Sequence, residues 1–286
     1  VVAEQEGNSD KRPGAPQWAT QPFRNFMEQT DRIGQLLNLS IKGISILRGM
    51  PKIVEVLAKI EKGSAKEAKD SLESAKKEAE LAQREVDEGF PLLHAQAAIA
   101  LWSALEATVR LFIARWLQNY RQAMEVEIIQ RLRVKIGDYE RLEDEDRYFY
   151  ILDRLDQELP APLKRGITRF ESLLAPFGLS GQVDEDVRRN LFELNHVRNS
   201  LVHRSGFADR RLINSCPWLK LTVGDRVKVN QEMLQNYFQS VIKYSTELIA
   251  RIGEHFGVDM AEFRSNAEAN NQDIAQEANM SSKPTA

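Results

Sequence analysis

Between Leu92 and Tyr120 the apolar residues recur with the period of an α-helix: Ala98, Trp102, Leu105, Val109, Ile113, Trp116 and Tyr120 fall on one side. A stripe that carries two tryptophans can be hidden only by other elements laid along it, so this helix belongs at the centre of a core and the remaining chain must supply its neighbours. With 286 residues, 42% of them hydrophobic, there is enough chain for a sizeable core and for one or two domains.

The neighbours are read as helices too. Phe23 to Ile60 is helical in pattern, interrupted by Gly43, Gly49 and Pro51, with Pro51 suited to the first turn of a second helix. Its apolar face (Ile44, Ile46, Leu47, Ile53, Val54, Leu57) lies among Lys42, Arg48, Lys52 and Lys59, a pattern shared by membrane-surface helices; ordinary packing is the expectation. Residues 61–88, rich in Ala, Lys and Glu with pairs such as Glu73 and Lys77, read as a solvated helical connector. Residues 122–135 and 146–159 are helical in pattern around an acidic turn at 137–145, and Pro160, Pro162 and Pro176 punctuate the next stretch of chain. Asp184 caps a helix that runs toward Gly206, Leu219 to Val229 alternates about Gly224-Asp225 like a short β-hairpin, and Asn230 caps a long helix to His255. The expected fold is all-α: an antiparallel helical bundle over 89–256 with one short β-hairpin, extra N-terminal helices and charged connector over 23–88, and disordered ends at 1–22 and 257–286.

Net charge excludes a globally basic binder: the chain carries −3 at a pI near 6.0. The single Cys216 rules out an internal disulfide and multi-cysteine metal sites, and the four histidines show no zinc-protease spacing, so no metal or cofactor is expected. No leader pattern or uninterrupted apolar run of ~18 residues is seen, so the expectation is a soluble, cytoplasmic protein without membrane attachment. Cys216 beside Pro217 reads as a small buried hydrophobe. Trp102, Trp116, Tyr237 and Tyr244 read as core rather than base-stacking platforms. His94 and His196 read as surface or partly buried side chains, and His255 as a partner of a helix C-terminus.

One string carries chemistry. Arg198-Asn199-Ser200-Leu201-Val202-His203 joins a permanent cation that can fork onto phosphate oxygens to a side chain that exchanges protons near neutrality. An R-N-x-x-x-H is expected by chance roughly 0.02 times in a chain of this composition. It opens a local basic stretch: residues 198–228 hold Arg198, Arg204, Arg210, Arg211, Lys220, Arg226 and Lys228 against Asp209 and Asp225, seven cations to two carboxylates, or +5. On a helical wheel Arg198 falls within the stripe of Val187, Leu191, Leu194 and Leu201, and Glu106 falls within the stripe of the Trp102 helix. Burying either charge alone costs several kcal/mol, so Glu106 is expected to approach Arg198, either orienting it for phosphate or forming a structural ion pair. Asn199 and His203, one turn apart, share a more polar flank with Asn195 and His196.

With R-N-S-L-V-H near a helix end, an upstream A-L-W-S-A-L-E helix, and a downstream hairpin and long helix, residues 90–256 resemble the HEPN superfamily. These are small antiparallel helical bundles, many of them metal-independent endoribonucleases marked by Arg, a following polar residue and a nearby His. The resemblance implies that Arg198 holds the scissile phosphate, His203 transfers protons and Asn199 positions one or the other, with Glu106 at a common acidic position. Arg204, Arg210 and Arg211 would then contact RNA. It further implies 2′-hydroxyl attack giving a cyclic phosphate, a homodimer with two motifs in one cleft, and a role as a toxin or phage-defence effector with a protein antitoxin or regulator as partner. Other members of the superfamily are non-catalytic modules for binding RNA or protein, and that alternative stays open at this point.

Overall fold

The computed structural model describes residues 14–60, 65–160 and 166–266, and among them the fold is an all-α helical bundle with no β-strand. In chain order the helices are α1 (Gln17–Leu47), α2 (Met50–Ile60), α3 (Ala65–Glu88), α4 (Pro91–Asn119), α5 (Arg121–Met124), α6 (Glu127–Gln130), α7 (Ile136–Glu140), α8 (Asp144–Glu158), α9 (Gly166–Leu174), α10 (Glu185–His203), α11 (Arg210–Ser215) and α12 (Gln231–His255). They group into two compact units, each discontinuous in sequence: among the described residues the first comprises 14–26, 106–160, 166–187 and 242–266, the second 27–60, 65–105 and 188–241. Helices α1, α4, α10 and α12 contribute to both.

The first unit is built on the C-terminal half of α4. Val109, Phe112, Ile113 and Trp116 are fully buried, as the stripe requires, and Phe170, Leu152 and Tyr244 bury with them. The N-terminal segment is not wholly irregular as expected: α1 starts at Gln17, with Ala19 and Phe23 buried and Trp18 edge-on to Trp116 at 5.6 Å. Trp18, Ala19, Phe23 and Phe26 recur at helical spacing, so the helix orders because it has an aromatic cluster to cover; residues 1–13 lie outside the described residues. At the other end Gly257 adopts φ +75° beyond α12, and a helical stretch over 261–266 returns Arg264 to Glu247 (3.0 Å) and Glu254. The expected disorder from 257 therefore does not hold as far as 266, and 267–286 lie outside the described residues.

Two further expectations need correction here. Residues 122–135 form two single-turn helices, α5 and α6, rather than one helix, and the acidic turn contains α7. Asp144, Glu145 and Asp146 form the first turn of α8, where carboxylates complement the positive end of the helix dipole. His255 meets rings as well as a helix end: it sits 4.9 Å from Trp116 and 5.2 Å from Tyr120, and burial lowers its pKa.

The second unit holds the N-terminal half of α4, the motif helix α10 and the helices from 27 to 88. Gly89 (φ +73°) and Phe90 (φ +57°) break the chain between α3 and α4. The long connector is solvated as expected, with only Ala75 and Ala82 of α3 buried. Its neighbour α2 packs against α3 but has no buried residue: of the apolar face expected to pack, Ile44, Leu47 and Val54 are half-buried and Ile46, Ile53 and Leu57 are exposed. Leu101, Leu105, Leu191, Leu194, Val197 and Tyr237 make the core of this unit. Helix α4 is long and apolar enough to cross a membrane, yet 61% of that window is buried within the protein.

Candidate functional site

The motif helix begins as its sequence dictates. Asp184 Oδ1 accepts from the Asp186 and Val187 N–H groups at 3.1 Å, an N-cap, with Glu185 and Asp186 in the first turn. It ends after His203, where Ser205 (φ +53°) and Gly206 (φ +77°) turn the chain and the Gly206 N–H donates to the Ser200 carbonyl at 3.0 Å. Two successive left-handed residues favour glycine at the second.

The segment 219–229 differs from the hairpin expected there. The turn exists: Gly224 has φ +92° and the Asp225 N–H donates to the Thr222 carbonyl. Its arms, however, do not pair with each other as strands. Residues 224–227 pair instead with 206–208, through Val227 N–H to Gly206, Ala208 N–H to Asp225 and Gly224 N–H to Ala208, around a single antiparallel bridge between Phe207 and Arg226. Alternation reports only that a segment is extended with two unlike faces; the partner for its backbone is the loop that leaves α10. Arg226 lies over the Phe207 ring at 5.3 Å, which closes the end of the motif helix.

Beside that end is a cleft of about 280 Å³ lined by His196, Asn199, Ser200, His203, Arg204, Asp209, Arg211 and Leu212. The structure thus brings together Asn199, His203, Arg204 and Arg211 of the expected site. His203 is exposed. Asp209 organises the far wall: its Oδ1 caps α11 by accepting from Leu212 N–H (2.9 Å), and its Oδ2 accepts from Arg204 Nε (3.2 Å). The Leu212 amide first, and Arg204 after it, hold the Asp209 carboxyl below its ordinary pKa. Arg211, in the first turn of α11, lines the cleft, while Arg210 is exposed and does not line it.

Arg198 is half-buried next to the cleft and not in its wall; its Nη1 donates to Asn199 Oδ1 at 3.1 Å. Its Nε is buried with no hydrogen-bond partner among the described residues. Glu106, which was expected to meet Arg198, is paired within its own unit. Glu106 belongs to the first unit, where it accepts from Arg169 Nη1 at 2.6 Å, and Arg169 also forks onto both oxygens of Asp156 at 2.8 Å. Burial pulls the Arg169 pKa down, and Asp156 and Glu106 outweigh it. Glu106 had an inward charge to satisfy, as its wheel position required, but the cation came from α9.

Three residues of this neighbourhood escaped the sequence reading. His196, read as a surface or partly buried side chain, is 2% exposed, contacts the Phe192 ring at 4.5 Å, and forms the inner wall of the cleft. His94 is likewise buried, its Nδ1 at 3.2 Å from the Val229 carbonyl, and burial lowers its pKa. Glu193, two turns into α10, is a buried acid that accepts from Tyr237 Oη (2.7 Å) and Trp218 Nε1, while Arg189 covers the Trp218 ring at 4.6 Å. A single charge among Leu191 and Leu194 was the available signal. Among the described residues no group of three or more His, Cys, Asp or Glu side chains is placed to hold a metal ion. No family model, curated protein or solved structure matches the chain.

Proposed function

We propose that the chain is an endoribonuclease of the HEPN type that cleaves RNA through the 2′-hydroxyl without a metal. The observation that carries this reading is the cleft at the end of α10, in which an exposed imidazole, His203, shares a wall with Asn199, Arg204 and Arg211. A cleft of about 280 Å³ lies below the ~300–1,000 Å³ of pockets that engulf a small molecule. It suits a polyanion laid across it one nucleotide at a time.

In the proposed reaction a base removes the 2′-hydroxyl proton, the oxygen attacks the adjacent phosphorus, and the 5′-oxygen leaves with a proton from an acid, giving a 2′,3′-cyclic phosphate and a 5′-hydroxyl. His203 takes a proton-transfer role. Arg211 and Arg204 stabilise the charge that builds on the phosphoryl oxygens, and Arg210 extends the cationic track. Asn199 couples Arg198 to the cleft through its side-chain oxygen, so Arg198 holds the phosphate after a small swing of its guanidinium or fixes Asn199. In this reading Glu106 takes no role, its carboxylate being paired with Arg169.

A second proton carrier comes from a homodimer in which two copies of the motif face one cleft. Such an enzyme fits a toxin or phage-defence effector held in check by a protein antitoxin. Because Arg198 stands outside the cleft wall, the non-catalytic reading, a helical module that binds RNA or protein, keeps specific support. Incubating RNA with wild type, Arg198→Ala and His203→Ala in EDTA separates the two. Each folded variant should lose at least about a hundredfold in cleavage rate, the scale of general acid–base catalysis. RNA retained without cleavage by the wild type would establish the binding module, and undiminished cleavage by His203→Ala would remove the site.

A further inference from the structure

Helix α2 presents an apolar face that is uncovered among the described residues, and the end of α1 carries exposed apolar side chains of its own. Ile53, Val56, Leu57 and Ile60 are 48–72% exposed, and Leu39 and Ile46 of α1 are each 65% exposed. At 100° per residue the four α2 side chains span about 100° of the helix, the width that in a core helix would be buried. Its half-buried residues, Met50, Pro51 and Val54, lie on the remaining arc, and α2 packs against α3. The open stripe is therefore the side of α2 that is exposed while the helix packs against α3.

Charge says what covers it. Residues 36–60 carry Lys42, Arg48, Lys52 and Lys59 against Glu55 alone, a local +3 in a chain of −3. Lys52 and Lys59 fall within about 60° of Val56, beside the stripe rather than across from it. A second copy meeting this face about a two-fold axis would set these cations against their own mates. An RNA backbone would use the cations and leave the apolar stripe wet. An anionic lipid surface satisfies both: aliphatic side chains enter the acyl boundary while lysines reach the headgroups. We propose that α2, with the end of α1, is a docking face for anionic membrane surfaces, whatever the α10 cleft does.

The test uses the full chain in flotation with vesicles of phosphatidylcholine containing about 30% phosphatidylglycerol, compared with phosphatidylcholine alone, and varied salt. Expected are at least about tenfold stronger partitioning onto the anionic vesicles and release by high salt. Ile53→Glu with Leu57→Glu should abolish it, and Lys52→Gln with Lys59→Gln should lower it about tenfold. All four positions are exposed on a helix without buried residues, so circular dichroism should be unchanged. Any effect on RNA cleavage measured without vesicles would be unexpected, as none of these residues lines the cleft. No flotation, equal binding to neutral vesicles, or self-association that Ile53→Glu removes would each overturn the proposal.

Discussion

Cys216 is 1% exposed, and burial first, then the nearby Glu193 carboxylate, pushes its thiol up to about 12. The thiolate is the reactive species, so at pH 8 this side chain stays protonated and inaccessible. Native protein should therefore react with iodoacetamide at least about a hundredfold more slowly than unfolded protein, read as mass increase against time. Fast stoichiometric labelling of the folded chain would show that the Glu193, Tyr237 and Trp218 cluster opens readily. The same cluster explains how a carboxylate is tolerated inside α10: two neutral donors satisfy it where no cation is needed. Arg198 reaches a different settlement: among the described residues it has one neutral acceptor, Asn199, and its Nε has none. A guanidinium left partly unsatisfied has interaction capacity to spare for an anion.

Among the elements, α11 matters most to the candidate site, because a helix of six residues has little stability of its own and depends on its cap. Removing the cap by Asp209→Ala should cost about 1 kcal/mol in thermal or denaturant unfolding and should loosen Arg204 and Arg211 together. The pH dependence has a definite sign. The folded carboxyl titrates below its unfolded value of about 3.9, so its stabilisation is complete above that pH and is lost as pH falls through the depressed folded value. The Leu212 amide, which donates to Asp209, should shift in NMR spectra as the carboxyl protonates below its unfolded value of about 3.9. A Leu212 resonance that stays flat through that protonation would mean the cap is absent in solution.

For the whole molecule, the arithmetic of charge is uneven: −3 overall and +5 between Arg198 and Lys228. If two motif helices face one cleft, that basic stretch is doubled around it while the acidic remainder repels nucleic acid elsewhere. RNA affinity should then fall steeply with salt, with a log–log slope of about −2 or steeper if Arg204, Arg210 and Arg211 each meet a phosphate at ~0.7 per contact. Sedimentation should report a homodimer at the concentrations where cleavage occurs. A stable monomer cleaving at full rate would overturn the shared cleft and draw attention to His196, the second imidazole already along its wall.

The helices of this protein were legible because helical periodicity, caps and breakers are local. The α4 stripe, Asp184 and Asn230 as caps, and the Gly206 stop all appear where the sequence put them; the Met233 N–H donates to Asn230 at 2.8 Å. Grouping Asn199 with His203 was legible for the same reason, since two residues one turn apart share a flank wherever the helix goes. Partners were not. That Glu106 and Arg198 each face inward follows from their own helices, but which cation meets which carboxylate depends on the surfaces that pack together, and α9 delivered Arg169 to Glu106. The turn at Gly224 was likewise a local property, whereas the pairing of 224–227 with 206–208 was a choice among distant backbones. Sequence determined the long helices, their caps and the inward direction of Glu106 and Arg198, because these are set within a few residues. Tertiary structure alone decided which charges pair, that Arg211 joins His203 in one cleft, and that the apolar stripe of α2 stays open, because those outcomes depend on contacts between segments far apart in the chain.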